Sequence, residues 1–207
     1  MRFAAVLSDL DGVLVDSGAA VERVWREWAV AQGLDGDEVV EAMHGVPSAQ
    51  VIARVAPHLD PGSEGEQVDA LHAETGGVAL PGASALLAAV APLAVVTSCS
   101  SSLAAARFDA AGLVAPEVLI TSDRTERGKP FADPYLAAAS ALGVSPRDCL
   151  VIEDAPAGIS AGLAAGAEVW AVETTHSVGE LSAATAVVPD LWAVLDRLGL
   201  RRPTAAG

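Results

Sequence analysis

The chain has 207 residues, of which 12 are Lys or Arg and 27 are Asp or Glu, so its formal net charge is −15. This acidic excess argues against partners such as nucleic acid or an anionic membrane surface. The hydrophobic fraction is 52%, which excludes disorder as a description of the whole chain and predicts a sizeable folded core.

No segment has the features of a membrane span or a secretion signal. The longest window without a charged residue, between Thr75 and Arg107, is interrupted by several glycines and prolines. The apolar run at the N-terminus ends in two aspartates rather than in small residues typical of a cleavage site. Cys99 and Cys149 lie in predicted buried strand ends, which favours reduced thiols. We therefore expect a cytoplasmic protein without a membrane partner.

Short β-branched runs alternate along the chain with Ala-rich helical patterns. Most of the runs are continuously apolar, which indicates burial on both faces and hence a parallel sheet. The predicted strands are Phe3–Ser8, Leu93–Thr97, Glu117–Thr121, Cys149–Glu153, Glu168–Val172 and Ala186–Val188. This order predicts an α/β protein built on a doubly wound parallel sheet, with helices covering both faces.

One long segment after the first strand breaks the alternation. Between Asp16 and Val78 the sequence carries only helical patterns, such as the apolar face that includes Val21, Trp25 and Trp28. Further helices are predicted over Glu38–Met43, Ser48–Val55 and Gln67–Glu74. We therefore expect a catalytic core formed by residues 1–15 and 80–207, with a small all-helical cap domain over residues 16–79.

Two carboxylates two residues apart follow the first predicted strand, in the sequence Asp9-Leu10-Asp11-Gly12. Ligands of doubly wound sheets bind outside the carboxyl ends of the strands, so this is the expected position of a site. The paired charges repel each other without a cation, and oxygen ligands of this kind suit Mg²⁺. The alternative is a turn that ends the strand and leaves both acids in solvent.

Polar residues follow other predicted strands or stand in a loop at the same edge. Thr97 and Ser98 end one apolar strand, and Glu153 and Asp154 end another. Lys129 stands in a loop before a helix. Each feature alone has an ordinary reading as a helix cap, a solvated lysine or an acidic turn. Their occurrence together, in this order, favours a common site.

This set of residues resembles the four motifs of the haloacid dehalogenase-like hydrolases, in the branch that carries a helical cap after the first motif. Residues 9–17 are similar to the first motif of that family, and Thr97 or Ser98 to the second. Lys129 corresponds to the third motif, and Glu153 with Asp154 to the fourth. The resemblance covers nearly the whole chain and implies a Rossmann-like core.

The resemblance implies phosphoryl transfer through a covalent intermediate. Asp9 would be the nucleophile that forms an aspartyl-phosphate, and Asp11 would protonate the leaving group and then activate water. Mg²⁺ would bind Asp9, Asp11 through its backbone carbonyl and Asp154, while Glu153 would orient the water shell of the metal. The residues expected to hold the phosphate are Thr97, Ser98 and Lys129.

The family contains several reactions, between which the sequence discriminates in part. Asp11 argues against a dehalogenase, a branch that needs no acid for its leaving group. A phosphomutase of the β-phosphoglucomutase type carries a cap His where this chain has Val21, and a cap Arg that residues 43–50 lack. We therefore expect a phosphatase acting on a small phosphorylated metabolite, a sugar or polyol phosphate, with that mutase or a phosphoglycolate-type phosphatase as alternatives. His44 and Gly45 are candidate specificity residues, and a monomer or weak dimer is expected.

Overall fold

The computed structural model describes residues 2–43 and 46–200. Its strands are β1 (Ala5–Ser8), β2 (Val15–Asp16), β3 (Val78–Ala79), β4 (Leu93–Val96), β5 (Val118–Ile120), β6 (Cys149–Glu153), β7 (Glu168–Val172) and β8 (Ala186–Val188). Its α-helices are α1 (Gly18–Ala31), α2 (Gly36–Met43), α3 (Ser48–Val55), α4 (Pro61–Thr75), α5 (Ala83–Ala89), α6 (Ser101–Ala110), α7 (Asp133–Ala141), α8 (Pro156–Ala165) and α9 (Leu191–Arg197).

Six of these strands form one parallel sheet in the order β5-β4-β1-β6-β7-β8. The chain starts at the centre of the sheet, extends to one edge through β4 and β5, and returns to build the other side from β6. All six strands predicted from the sequence are present, so the doubly wound α/β fold is confirmed.

Both faces of the sheet are buried under helices. Alternate residues of β1 point to opposite sides, so that Val6 joins one apolar cluster while Ala5 and Leu7 join another. The first cluster includes side chains of α5, α6 and α9, and the second includes side chains of α7 and α8. This burial on two sides explains why the strands are continuous apolar runs rather than alternating ones.

Helices α1 to α4 form the insertion after the first strand and have an apolar core of their own. Trp25 and Trp28 of α1 pack edge to face, with ring centroids 5.5 Å apart, and join Val51 and Ile52 of α3 in that core. The division of the chain at residues 16 and 79 stays a prediction.

A short antiparallel ribbon lies at the base of the insertion, where no strand was predicted. In it Val15 pairs with Ala79 and Asp16 pairs with Val78. Two residues per strand are too few to give a period-two pattern, and the partners lie more than sixty positions apart in sequence. Among the described residues, no helix is long and apolar enough to cross a membrane.

Candidate active site

Three neighbouring strands bring the predicted residues to one edge of the sheet. Strand β1 lies between β4 and β6, so the carboxyl ends of these three parallel strands are adjacent. Asp9 follows β1, Thr97 follows β4, and Glu153 is the last residue of β6. The parallel topology therefore assembles residues that are up to 144 positions apart in sequence, as 153 minus 9 gives.

The turn after β1 is compact because a glycine occupies its tightest point. The Leu10 N–H donates to Oδ1 of Asp9 over 2.7 Å, which fixes the orientation of that carboxylate. Gly12 has a φ of +78°, a conformation that glycine adopts without strain, and a β-carbon there would overlap the carboxylate of Asp154. Glycine at this position allows the turn to approach the residue after β6.

Three buried carboxylates lie close together, and two of them contact one ammonium group. Oxygens of Asp9, Glu153 and Asp154 all lie within 4.8 Å of one another. Nζ of Lys129 lies 2.8 Å from Oδ1 of Asp9 and 2.6 Å from Oε1 of Glu153. Lys129 is the only lysine of the chain, and it is almost completely buried.

The crowding of these acids changes their protonation. Burial and the charge of Glu153 raise the pKa of Asp9 to about 7, despite the opposing effect of Lys129. Burial, Glu153 and Asp9 together raise the pKa of Asp154 well above its usual value. Burial alone would lower the pKa of Lys129, but the adjacent carboxylates raise it instead.

This donor set fits a hard divalent cation. Three carboxylates facing one ammonium leave an excess of two negative charges when all three are ionised. Carboxylate oxygens are ligands that Mg²⁺ prefers, and its charge would balance that excess. Asp9 and Asp154 can supply ligands here.

Glu153 is already saturated by protein donors. Its Oε1 contacts Lys129 and accepts the hydroxyl of Tyr135 over 2.6 Å. Its Oε2 accepts the backbone N–H groups of Asp154 at 3.0 Å and Ala155 at 3.4 Å. These protein donors argue against direct ligation of a metal by Glu153, and its predicted role of orienting the water shell of the metal stays a prediction. Tyr135 was not predicted, since a tyrosine in a helix after the lysine loop has no motif signal.

Asp154 is held by the loop that follows β7. The hydroxyl of Thr175 donates to Oδ2 of Asp154, and Nδ1 of His176 lies 3.0 Å from the Asp154 backbone oxygen. Thr174 contributes a further link, because its hydroxyl donates to the carbonyl of Gly12. These contacts were not predicted either, and only the run of polar residues after a buried strand could have indicated them.

The Asp11 carboxylate has a separate set of partners. Its Oδ1 accepts the hydroxyl of Ser17 and lies 3.1 Å from Nε of Arg107, and its Oδ2 lies 2.9 Å from Sγ of Cys99. Burial and Asp11 raise the pKa of the Cys99 thiol well above its usual value, so the thiol keeps its proton and can donate it. Arg107 was missed by the sequence analysis. Its signal is a charged residue on the apolar face of α6, beside Leu103 and Phe108.

Thr97 and Ser98 both line the cavity above this site. The Thr97 oxygen accepts the N–H of Cys99 over 3.0 Å, which leaves its own hydroxyl hydrogen to be donated to a ligand. The side chain of Thr97 is buried, whereas Ser98 is half-buried. The geometry therefore supports Thr97 as the primary hydroxyl.

The cavity has a volume of about 250 Å³ and lies between the sheet edge and the insertion. The wall from the insertion contains both apolar and acidic side chains, including Val21, Trp25, Met43, Asp69 and His72. The Ser48 hydroxyl donates to Asp69 over 2.6 Å. The predicted specificity residues His44 and Gly45 lie outside the described residues.

Comparison with known proteins identifies a matching family. The family model described as haloacid dehalogenase-like hydrolase matches residues 3–166. Hexitol phosphatase A of Escherichia coli is 44% identical over 200 residues, covering 92% of this chain and 93% of the relative. Glycerol-1-phosphate phosphohydrolase 2 of Saccharomyces cerevisiae is 32% identical over 197 residues, covering 86% of this chain and 78% of the relative.

A solved structure gives the same result. A HAD family hydrolase from Deinococcus radiodurans, crystallised with bound phosphate and sodium, superposes with a TM-score of 0.71. It is 31% identical, and the superposition covers 98% of this chain and 99% of the other. The similarity therefore extends through the sheet and the helical insertion.

Proposed function

This chain belongs to the haloacid dehalogenase-like hydrolases and is a phosphoric monoester hydrolase, and we propose that it releases phosphate from a small sugar or polyol phosphate through an aspartyl-phosphate on Asp9. The observation that carries this proposal is the buried group of Asp9, Lys129, Glu153 and Asp154 at the sheet edge. It combines a nucleophile, a fixed cation and the ligands for a divalent metal.

The first step transfers the phosphoryl group to the protein. An Asp9 carboxylate oxygen attacks phosphorus while the bond from phosphorus to the leaving oxygen breaks. Asp11 donates its proton to that oxygen, so the dephosphorylated product leaves as a neutral alcohol. Lys129 and the Thr97 hydroxyl offset the negative charge on the transferring group.

The second step regenerates the enzyme. Asp11, now ionised, removes a proton from a water molecule, which attacks the phosphorus of the aspartyl-phosphate. The bond between phosphorus and the Asp9 oxygen breaks, and inorganic phosphate is released. Asp11 thereby regains the proton that it donates in the first step.

We propose that Mg²⁺ is bound by Asp9, the Asp11 backbone carbonyl and Asp154. When bound, the ion would neutralise negative charge, so that the Asp9 carboxylate and the anionic phosphate ester could approach each other. The raised pKa of Asp9 supports this role, because the nucleophile must be ionised and the adjacent acids oppose its ionisation. The protein donors that saturate Glu153 support an indirect role for that residue.

The cavity wall favours an uncharged leaving group over a second phosphate or a carboxylate. The described wall of the insertion presents Asp69, and Asp16 lies at its base, so a second anion would meet negative charge. Burial lowers the pKa of His72 to about 4, which leaves that ring neutral at pH 7. Arg107 is already paired with Asp11. These features support a phosphatase over the mutase and phosphoglycolate alternatives.

The test is phosphate release from a panel of esters with Mg²⁺ and with a chelator. The panel contains hexitol phosphates, glycerol phosphate, phosphoglycolate and β-glucose 1-phosphate. We expect Mg²⁺-dependent release from the polyol esters by the wild type and none by Asp9→Asn, which keeps the shape of the side chain. Isomerisation of β-glucose 1-phosphate primed by a bisphosphate, without net phosphate release, would establish the mutase instead.

A further inference from the structure

Arg107 is a buried cation that the proposed mechanism does not use. It lies on α6, its side chain is 1% exposed, and it is among the largest fully buried side chains of the described residues. Removing a guanidinium from water is costly, so it needs compensating charge and hydrogen bonds. The partners that compensate the buried charge of Arg107 therefore indicate its role.

The first contact is with the predicted acid of the reaction. Nε of Arg107 lies 3.1 Å from Oδ1 of Asp11, which is an ion-pair distance. The other partners of that carboxylate, Ser17 and Cys99, are neutral donors. Arg107 is thus the positively charged partner of Asp11, and Lys129 is the positively charged partner of Asp9.

The remaining contacts anchor the guanidinium. Its NH1 donates to the carbonyl oxygens of Gly76 and His72, the latter over 3.1 Å. These carbonyls lie at the C-terminal end of α4, where carbonyl groups lack helical partners and carry negative partial charge. Gly77, which follows this helix end, lies close to the Arg107 side chain, since a β-carbon at Gly77 would be 3.6 Å from Cδ of Arg107.

We propose that Arg107 is a positioning residue that orients the Asp11 carboxylate for proton transfer to the leaving group. The inference rests on the proposed function, because it assumes that Asp11 acts as the acid. The α4 carbonyls hold the guanidinium through NH1, which keeps Nε beside the Asp11 carboxylate, and the Ser17 hydroxyl and the Cys99 thiol donate to the same carboxylate. An acid held in one orientation transfers its proton more efficiently than one that rotates freely.

This role has a consequence that a purely structural role lacks. An alkyl phosphate has a poor leaving group that needs a proton, whereas p-nitrophenyl phosphate releases a stable phenolate without one. Loss of acid positioning should therefore slow the alkyl ester more than the aryl ester. The comparison uses kcat/KM, which reports only the steps up to formation of the aspartyl-phosphate.

The experiment measures kcat/KM for the best polyol phosphate and for p-nitrophenyl phosphate in wild type, Arg107→Lys and Arg107→Met. We expect the ratio of alkyl to aryl kcat/KM to fall at least about tenfold in Arg107→Met. A smaller fall of the ratio is expected in Arg107→Lys, because lysine keeps the positive charge but lacks the several N–H donors of the planar guanidinium. Arg54→Met is the control for loss of an arginine that holds a helix end, because the exposed Arg54 donates to the carbonyl of Ala42 and does not line the cavity.

A second comparison tests whether Arg107 acts through Asp11. In an Asp11→Ala background, adding Arg107→Met should leave the alkyl to aryl ratio unchanged. An equal loss on both esters, or a further fall of the ratio in that background, would overturn the inference. If Arg107→Met does not fold, Arg107→Lys decides by the same ratio.

Failure of this inference differs from failure of the proposed function. A wild-type enzyme that hydrolyses neither ester contradicts the proposed function itself. A wild type that hydrolyses both, with variants of unchanged ratio, contradicts only the assignment of Arg107.

Discussion

Nζ of Lys129 lies 2.8 Å from Oδ1 of Asp9, and the two side chains are only 2% and 8% exposed. The same ammonium lies 2.6 Å from Glu153, so one cation serves two buried carboxylates. Because attraction between charges strengthens away from water, this ammonium holds Asp9, the proposed nucleophile, in place and opposes the repulsion among the acids. Its position makes Lys129 important for both stability and chemistry.

Replacing Lys129 with Met should leave buried acids without their cation. We expect the free energy of unfolding at pH 7 to fall by about 3–5 kcal/mol, as for other buried ion pairs that lose one partner. Phosphate release should also fall to the level of Asp9→Asn. Urea denaturation and the ester assay measure the two effects.

Arg127→Gln is the control for this variant. Arg127 lies two residues away in the same loop and pairs with Asp133 at 2.9 Å, but its side chain is 58% exposed. Its loss should change the free energy of unfolding by no more than about 1 kcal/mol. If Lys129→Met and Arg127→Gln lowered the free energy of unfolding equally, the buried contact between Lys129 and the carboxylates would not be a major source of stability.

Gly158 of α8 is expected to tolerate no side chain. A β-carbon at this position would overlap both carboxylate oxygens of Glu153. Gly158→Ala should therefore displace Glu153 from Lys129 and Tyr135, and lower the free energy of unfolding by about 1–3 kcal/mol. Chemical denaturation measures the loss, and kcat should fall with it because the contact that orients Lys129 is disturbed.

Gly62→Ala provides the matched control in another helix. A β-carbon at Gly62 of α4 would have Asp60 Oδ2 as its nearest neighbour, at 4.0 Å. Alanine has the higher helix propensity, so stability should be unchanged or should rise by up to about 1 kcal/mol. A Gly158→Ala protein as stable as Gly62→Ala would show that Glu153 has room to move.

The buried acids also predict stabilisation by a divalent metal. Adding Mg²⁺ to protein treated with a chelator should raise the melting temperature, because the ion binds the folded site and not the unfolded chain. At a Mg²⁺ concentration 100 times the dissociation constant, the free energy of unfolding should rise by about 2.7 kcal/mol. Asp154→Asn should abolish most of that gain, whereas Asn at the exposed Asp148 should retain it. A melting temperature independent of Mg²⁺ in the wild type would argue against the metal site.

One physical reason explains why the sequence predicts both the strands of the sheet and the edge at which the site lies. A strand buried on both faces must be continuously apolar, so the runs ending at Ser8 and Glu153 are visible without a structure. Because parallel strands end at one edge of a sheet, the sequence predicts that Asp9, Thr97 and Asp154 lie together. The structure adds that Lys129 reaches the same acids from a loop.

The sequence could not predict contacts that depend on packing between distant elements. Tyr135 meets Glu153 because α7 covers one face of the sheet, and its spacing from the lysine loop has no special meaning. Arg107 meets Asp11 because α6 lies against the end of α4. Val15 pairs with Ala79 across the whole insertion, so no local pattern in the sequence marks this ribbon.

His72 should make the stability of the protein depend on pH. Its side chain is 3% exposed, and burial together with the nearby Arg107 lowers its pKa from 6.5 to about 4. Between these two values the unfolded chain binds a proton that the folded protein does not, so the stability falls as the pH decreases. At pH 7 the ring is mostly neutral in both states, and the effect is nearly absent.

Between pH 7 and pH 5, His72 alone should lower the free energy of unfolding by about 2 kcal/mol. Urea denaturation of wild type and His72→Gln at both pH values isolates it, because the other titrating groups are common to the two proteins. The free energy of unfolding should fall less steeply in the variant by that amount. His58→Gln should retain the wild-type dependence, since His58 is exposed. Equal slopes for wild type and His72→Gln would mean that the ring binds a proton as readily in the folded protein as in the unfolded chain.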